Sequence, residues 1–209
     1  MADLFDYDEK REELNRARVE ALESLLIDKG IVTGDTVNQV LSYFKTEMGP
    51  FNGAKIVARA WKDPEFKDLL VKDTPAAISK MNLPTGMDGA EGEHMIAVEN
   101  TPEVHNLIIC TLCSCYPWPV LGLPPYWYKD PTFRARAARE PRAVLKEFGL
   151  EIQDDMEIRV WDSSAQIRWF VLPEKPDGAD GLSEDELAAL GTPESRMGVA
   201  KVVAAGATI

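Results

Sequence analysis

The sequence predicts an α+β protein with a helical front and a mixed C-terminal part. Two observations lead to this fold class. Apolar residues recur at helical spacing through the first fifty residues, and short apolar runs typical of strands alternate with helix start signals after residue 94. At 209 residues, the chain is long enough for one compact domain with an extended arm.

Two helices are expected in the N-terminal segment, over residues 7–29 and 35–48, with Gly30 and Gly49-Pro50 as their stop signals. Their apolar stripes leave them little to bury against each other. Residues 1–50 are therefore expected to form either a solvated helical hairpin or an extended arm that wraps a partner subunit.

Residues 51–200 are expected to form the globular domain, and its helix starts are marked by capping residues followed by proline or glutamate. These signals are Asp63-Pro64, Thr74-Pro75, Asp130-Pro131, Glu140-Pro141 and the capping box Ser183 to Glu186. Strands are expected at 95–98, 105–109, 157–161 and 167–172, a glycine-rich loop at 83–93 and a flexible tail at 201–209.

The charge balance excludes several classes of partner. The net charge is −12 and the isoelectric point is about 4.7, which argues against nucleic acid and against anionic membranes. No run approaches the roughly 20 apolar residues needed to cross a bilayer. The acidic start lacks the positively charged region of a secretory signal, so a cytoplasmic protein is expected.

All three cysteines lie within six positions, in the segment Cys110-Thr111-Leu112-Cys113-Ser114-Cys115. The expected strand 105–109 precedes this segment. Residues 116–125 follow it, with four prolines and a glycine that are expected to exclude a helix. In a cytosolic protein, a C-x-x-C-x-C cluster on a tight loop indicates a metal site and not a disulfide framework.

The spacing of the cysteines alone does not decide which metal the segment binds. A structural zinc site needs a fourth ligand, and the sequence holds only two histidines, His94 and His105. The single-residue gap before Cys115 is unusual for zinc, whereas it would let the backbone nitrogens of Ser114 and Cys115 face a trivalent iron or cobalt ion. Three cysteines are one short of an all-cysteine iron–sulfur site.

The segment from Cys110 through Tyr116-Pro117-Trp118-Pro119 resembles the metal-binding motif of the nitrile hydratase α subunit. The resemblance covers roughly residues 15 to 200 and includes further segments: Gly53 to Lys55, Ala60 to Lys67, Val98 to Thr101, Leu121 to Pro125, Val160 to Ser163 and Asp177 to Gly181. It implies a layered α-β-β-α arrangement for the globular part.

The resemblance also implies the site. A single non-corrin cobalt(III), or alternatively iron(III), would be bound by the thiolates of Cys110, Cys113 and Cys115 and by the amide nitrogens of Ser114 and Cys115. Cys113 would be a sulfinate and Cys115 a sulfenate. The open sixth position would serve the hydration of a small nitrile to its primary amide, with Cys115 and Ser114 as the catalytic residues. Thr111 and Tyr116 resemble the cobalt-type motif.

Surrounding residues are assigned by the same resemblance. Trp118 would line the substrate pocket, with a core aromatic as the alternative. Asp162 and Arg168 would be a carboxylate and a guanidinium supporting the metal ligands, with a surface ion pair as the alternative. Glu91 stands near the pocket where the family usually has glutamine, and Gln166 where glutamate is more usual, so the range of accepted nitriles would differ.

The resemblance implies two protein partners, a β subunit that completes the site with its arginines and an activator protein that loads the metal. Two other functions remain open. Thiocyanate hydrolase uses the same cluster on another small molecule, although Trp118 favours a nitrile. A non-catalytic zinc or iron–sulfur module would use the cysteines only to hold the fold together.

Overall fold

The computed structural model describes residues 9–46, 49–83, 94–112 and 115–203. Helices account for most of the regular structure, and four short strands lie among them, so the α+β prediction is confirmed. The helices are α1 (Glu9–Asp28), α2 (Gly34–Thr46), α3 (Pro50–Lys62), α4 (Pro64–Lys72), α5 (Thr74–Lys80), α6 (Trp118–Leu121), α7 (Pro131–Arg139), α8 (Pro141–Glu147) and α9 (Glu184–Leu190), with a 3-10 turn at Tyr126–Lys129. The strands are β1 (His94–Glu99), β2 (Val104–Ile109), β3 (Glu157–Asp162) and β4 (Ile167–Leu172).

The four strands form two parallel pairs. β1 pairs with β4, and β2 pairs with β3 in the register that places Ile109 opposite Asp162. Helices α4 and α5 contact β1, helices α7 and α8 contact β2 and β3, and β2 contacts β4 between the two pairs. The order from one side to the other is therefore helix, strand, strand, helix, in agreement with the layering that the resemblance implied.

The core lies between these layers. β2 is the most deeply buried strand, with every side chain from His105 to Ile109 inaccessible or nearly so. Parallel strands covered on both faces are expected to be continuously apolar, and the run Leu107 to Ile109 fits that pattern. The burial of β2 fixes the position at which the chain enters the cysteine segment.

The predicted helix starts are confirmed with one correction. The Asp63 side chain accepts from the Phe66 amide at 3.0 Å, and Ser183 and Glu186 form the reciprocal capping box. The cap of α5 is Asp73 and not Thr74. Thr74 instead donates to the Leu70 carbonyl at 2.7 Å and accepts from the Ala97 amide at 2.8 Å, so its hydroxyl joins α4, α5 and β1.

Proline accounts for one missed helix and one wrong expectation. Gly49-Pro50 follows the end of α2 as expected, but Pro50 also begins α3, which sequence analysis missed. The proline-rich segment 116–125 was expected to exclude a helix, yet it contains the single turn α6 with Pro119 in its first turn. Proline is compatible with that position because the first-turn amides have no intrahelical acceptor.

The two N-terminal helices agree with their predicted ranges, apart from residues 7, 8, 47 and 48, which lie outside the described residues. Their apolar side chains are largely exposed, with Val19 at 63% and Leu22 at 59%. Within the part of the chain that the structure describes, no helix is both long enough and apolar enough to cross a membrane. The domain limits at residues 50 and 200 stay a prediction.

Candidate metal centre

The cysteine segment begins where β2 ends. Cys110 follows Ile109 directly and is fully buried. The β2–β3 register brings Asp162 alongside, and its carboxylate accepts two hydrogen bonds from Thr111, from the amide at 2.9 Å and from the hydroxyl. The side chain at the end of β3 therefore fixes the first residue after Cys110.

The segment ends at a half-buried Cys115, and a tyrosine holds its backbone. The Tyr128 hydroxyl donates to the Cys115 carbonyl oxygen at 2.8 Å. The Tyr128 ring meets the Tyr116 ring edge-on, with centroids 5.0 Å apart. The Trp118 amide donates to the Tyr116 carbonyl at 2.9 Å and leads the chain into α6. Both ends of the cysteine segment are thus attached to the domain by hydrogen bonds.

Burial controls the ionisation of these tyrosines. Burial raises the pKa of Tyr128 above its usual range, and a hydrogen bond with the Ser163 side chain opposes this rise. Burial also raises the pKa of Tyr116, whose hydroxyl donates to the Met197 sulfur at 3.3 Å. Both phenols stay protonated at neutral pH, so the Tyr128 hydroxyl remains a hydrogen-bond donor.

Neither histidine is positioned as a fourth zinc ligand. The His105 Nε2–H group donates to the Gly198 carbonyl at 2.7 Å, and Nδ1 lies 3.4 Å from the Asn100 amide nitrogen. His94 is exposed at the start of β1, a strand paired with β4 and not with β2. Within the described ranges, the segment carries the thiols of Cys110 and Cys115, a side-chain type that soft metals bind well.

An apolar cavity of about 520 Å³ lies beside the end of the segment. Trp118 is 37% exposed and forms part of its wall. The cavity is also lined by Tyr116, Phe51, Leu121 and Leu123, and by Leu41 from α2. A cavity of this size accommodates a small organic molecule, and its few polar groups favour an uncharged one.

Comparison with known proteins shows the family of the chain. The family model described as nitrile hydratase, alpha chain, matches residues 13–200. The chain belongs to the nitrile hydratase α-chain family. The matched range includes both arm helices from residue 13 onward, the cysteine segment and α9.

Several individual proteins resemble the chain over most of its length. The α subunit of the low-molecular weight cobalt-containing nitrile hydratase of Rhodococcus rhodochrous is 54% identical over 183 residues, or 88% of this chain and 86% of the relative. The α subunit of the cobalt-containing nitrile hydratase of Pseudonocardia thermophila is 52% identical over 193 residues, or 92% and 93%. The thiocyanate hydrolase γ subunit of Thiobacillus thioparus is 37% identical over 187 residues, or 86% and 76%.

A solved structure has the same fold. The Fe-type nitrile hydratase of Comamonas testosteroni Ni1, in a double histidine variant, superposes with a TM-score of 0.79 at 40% identity. The superposition covers 94% of each chain. The chain is therefore similar both to relatives named as cobalt-containing and to a solved structure named as Fe-type.

The structure brings together some of the predicted site residues. Cys110, Cys115, Trp118 and Asp162 gather around one segment, whereas Cys113, Ser114 and Glu91 lie outside the described residues. Among the residues that are described, no three His, Cys, Asp or Glu side chains form a group able to hold a metal. The full ligand set therefore stays a prediction.

Arg168 lies on β4, where it faces Met95 in the parallel register, and its guanidinium donates to the Ser164 carbonyl. It thereby closes the turn between β3 and β4. This turn follows Asp162, so Arg168 supports the end of β3 through its backbone. Its proposed role beside the metal ligands stays a prediction.

Sequence analysis missed Tyr128 and Ser163 as residues of the site. Tyr128 lies in the run Tyr126-Trp127-Tyr128, directly after two prolines, and such a rigid aromatic run beside a cysteine segment was the available signal. Ser163 follows Asp162, and only the β2–β3 pairing reveals that both residues adjoin the segment.

Proposed function

We propose that this chain is the metal-binding α subunit of a nitrile hydratase, which hydrates a nitrile to the corresponding primary amide at a non-corrin cobalt(III) centre. The observation that carries the proposal is the cysteine segment attached at both ends beside an apolar cavity. Cys110 is buried, Cys115 is half-buried, and the Trp118 wall begins three residues later. Two relatives above 50% identity are named as cobalt-containing nitrile hydratase α subunits.

The ligands would be the thiolates of Cys110, Cys113 and Cys115 and the amide nitrogens of Ser114 and Cys115. Sulfur ligands and deprotonated amides suit a trivalent ion, and the two free cysteines Cys110 and Cys115 in the segment support this ligand set. When bound, the ion supplies Lewis acidity that polarises the nitrile and makes its carbon electrophilic. Iron(III) is the alternative metal, since a structure with the same fold is named as Fe-type.

The remaining chemistry belongs to the protein. The cavity lined by Trp118 and its apolar neighbours holds the organic part of the nitrile and limits the entry of water. The nucleophile is the Cys115 sulfenate oxygen or a hydroxide activated by it, and it adds to the nitrile carbon. Ser114 adjusts the site through its hydroxyl and amide, and Cys113 is a sulfinate. Charge pairing of these oxidised sulfurs needs cations, which the β subunit supplies.

Cytoplasmic expression with two partner proteins completes the proposal. A β subunit joins this chain in a heterodimer or a multiple of it, and an activator protein loads the metal. Asp162 supports the ligands by holding Thr111, and Arg168 supports the end of β3. The Glu91 carboxylate alters the polarity near the cavity and so the choice of nitrile, and Gln166 is a second departure from the family pattern.

The decisive measurement is metal analysis combined with peptide mass spectrometry on protein co-expressed with its genomic neighbours. We expect one cobalt per chain, visible absorption, and a mass gain of three oxygens on the peptide that carries Cys113 and Cys115. Unmodified thiols around a colourless tetrahedral zinc would contradict the proposal.

We expect Cys115→Ala to abolish turnover while much of the fold survives, because Cys115 is only half-buried and packs at the margin of the core. The measurement is amide production by metal-loaded variant protein, with thermal unfolding to verify the fold. Hydration retained by a metal-loaded Cys115→Ala enzyme would remove Cys115 from the catalytic role.

Thiocyanate hydrolase is the second candidate, since its γ subunit in Thiobacillus thioparus is 37% identical to this chain. The apolar wall at Trp118 favours an uncharged nitrile over an anion. Assays of the purified complex for primary amide and for carbonyl sulfide separate the two reactions. Carbonyl sulfide as the main product would favour the second candidate.

A further inference from the structure

The cysteine segment is attached at its two ends by different groups. At the start, the carboxylate of Asp162 accepts from both the amide and the hydroxyl of Thr111. At the end, the attachment is a neutral hydrogen bond from the Tyr128 hydroxyl to the Cys115 carbonyl. The two attachments come from separate elements, since Asp162 ends β3 and Tyr128 lies on the 3-10 turn.

Tyr128 is a rigid donor. Its side chain is fully buried, and its ring is in edge-to-face contact with Tyr116 at 5.0 Å and with Trp127 at 6.1 Å. Trp127 in turn packs on Phe133 and Phe148 at 4.9 and 4.8 Å, which joins the turn to α7 and to the end of α8. Since only two rotatable bonds join the ring of Tyr128 to its backbone, contacts that fix the ring also determine where the hydroxyl oxygen lies.

The Cα atom of Cys115 is bonded to its carbonyl carbon, to its amide nitrogen and to the Cβ atom that carries the sulfur. A hydrogen bond to this oxygen restrains rotation about the Cα–C bond of Cys115 and fixes the peptide that leads to Tyr116. The proposed function assigns both the nitrogen and the sulfur of Cys115 to the metal. A restraint on this residue therefore acts on two ligand atoms together.

We propose that Tyr128 is a positioning residue of the centre, whose hydroxyl holds the backbone of Cys115 in the conformation that directs its sulfur and nitrogen at the metal. This inference rests on the proposed function for the identity of the ligands. Ligand sites gain affinity when the conformation that binds is already populated, so loss of the hydroxyl is expected to weaken metal retention and to alter the spectrum of the centre.

The test is Tyr128→Phe, which removes one oxygen atom and keeps the ring contacts. The matched control is Thr74→Val, which removes another buried hydroxyl that donates to a backbone carbonyl, here that of Leu70, far along the chain from the cysteines. Tyr128→Phe loses the hydrogen bond to the Cys115 carbonyl and the one with the Ser163 side chain, and Thr74→Val loses those with Leu70 and with the Ala97 amide. Both variants are therefore expected to unfold at lower temperature than the wild type. Only Tyr128→Phe is expected to affect the centre.

Three measurements on the co-expressed complex separate positioning from mere stability. For Tyr128→Phe we expect cobalt loss to a chelator to be about tenfold faster, the size of effect that one lost hydrogen bond of ordinary strength produces. We also expect a shifted visible absorption band and a lower kcat with KM little changed. Thr74→Val is expected to match the wild type in all three, and 4-aminophenylalanine at position 128 is expected to restore retention because it keeps an N–H donor.

A fourth measurement does not depend on the metal. In complex prepared from cobalt- and iron-depleted medium, we expect faster hydrogen exchange over residues 115–118 and faster alkylation of Cys115 in Tyr128→Phe than in Thr74→Val. If the wild type proves to hold no cobalt or iron, the proposed function fails, while this measurement still tests the restraint. Exchange, alkylation, spectrum and retention all equal to those of Thr74→Val would overturn the inference.

Discussion

At the scale of single residues, His105 is a buried imidazole in its neutral form. Its Nε2–H donates to the Gly198 carbonyl, and Nδ1 faces the Asn100 amide as an acceptor. Burial lowers its pKa below 6.5; the hydrogen bond to Gly198 opposes this, and the charge of Lys201 adds to it. Lys175, Glu174 and Asp177 line the cavity next to it.

The lowered pKa makes stability depend on pH. Below about pH 6.5 the unfolded chain binds a proton at His105 that the folded chain does not bind, so the free energy of unfolding falls as pH decreases. The slope from this residue is at most about 1.4 kcal/mol per pH unit. We expect the denaturation midpoint to decrease as the pH is lowered from 7 to 5.5. The His105→Gln variant is expected to show a smaller decrease.

His94 provides the control, because it is exposed at the start of β1. Its replacement by glutamine is expected to leave the pH dependence of the wild type intact. A His105→Gln variant with the same dependence as the wild type would show that other groups cause it.

Residue chemistry was predictable where one short segment carries it. The three cysteines, Trp118 and Asp162 could be identified from the sequence, and the structure gathers those that it describes. Tyr128 could not be identified, because its contact with Cys115 depends on how the 3-10 turn folds back over 13 positions. The two histidines could be counted from the sequence, but only the structure shows that the ring nitrogens of His105 face Gly198 and Asn100.

At the scale of elements, the close contact between α3 and α6 explains a glycine. A Cβ at Gly53 would lie 2.2 Å from the Val120 carbonyl oxygen and 3.0 Å from Nε of Arg196. Arg196 is fully buried and donates to the Pro50 carbonyl at 2.9 Å, and burial lowers its pKa to about 10. α3, α6 and the segment after α9 therefore meet without room for a methyl group.

We expect Gly53→Ala to destabilise the chain by about 1–3 kcal/mol, the range for overpacking a close contact, even though alanine favours helices. Gly34→Ala is the matched control, because Gly34 also lies in a helix and its Cβ would meet nothing within 4 Å. Thermal unfolding compares the two. Equal stability of both variants would contradict the close α3–α6 contact.

Elements could be predicted where the signal was local. The caps at Asp63 and Ser183 and the strand ranges needed only neighbouring residues. Parallel pairing was not predictable, because a four-residue turn between β3 and β4 suggests that these strands pair with each other, whereas each pairs with an earlier strand. Proline was interpreted only as a residue that excludes or ends a helix. Pro50 nevertheless begins α3, and Pro119 lies in the first turn of α6, because proline is also compatible with helix starts.

At the scale of the whole molecule, the arm presents apolar surface without covering it. Leu14, Val19, Leu22 and Leu25 of α1 are between 49% and 63% exposed, and Leu41 of α2 reaches the cavity beside Trp118. Exposed apolar stripes on helices indicate a protein interface. The exposed apolar side chains therefore favour the interpretation of residues 1–50 as an arm that wraps a partner subunit over that of a solvated hairpin.

We expect the isolated chain to be nearly inactive and to gain activity when a β subunit is co-expressed, because the proposed function pairs oxidised sulfurs with cations of the partner. The measurements are amide production and the mass of the complex by light scattering. A polar substitution on the arm, Leu22→Glu, is expected to weaken assembly, whereas Glu23→Gln on the same helix is expected to leave it unchanged. Full activity of the lone chain would contradict a shared site.

The attachment of Thr111 to Asp162 spans 51 positions, and β1 meets β4 across 73. At the usual synthesis rate of about 5–20 residues per second, the thiols leave the ribosome several seconds before the carboxylate that holds their loop exists. During that interval the cysteines are exposed to oxidants and to whichever metal arrives first. Correct metallation therefore depends on when the metal arrives as well as on affinity. We expect a newly made chain to benefit from a protein that shields the cysteines until β3 has paired with β2.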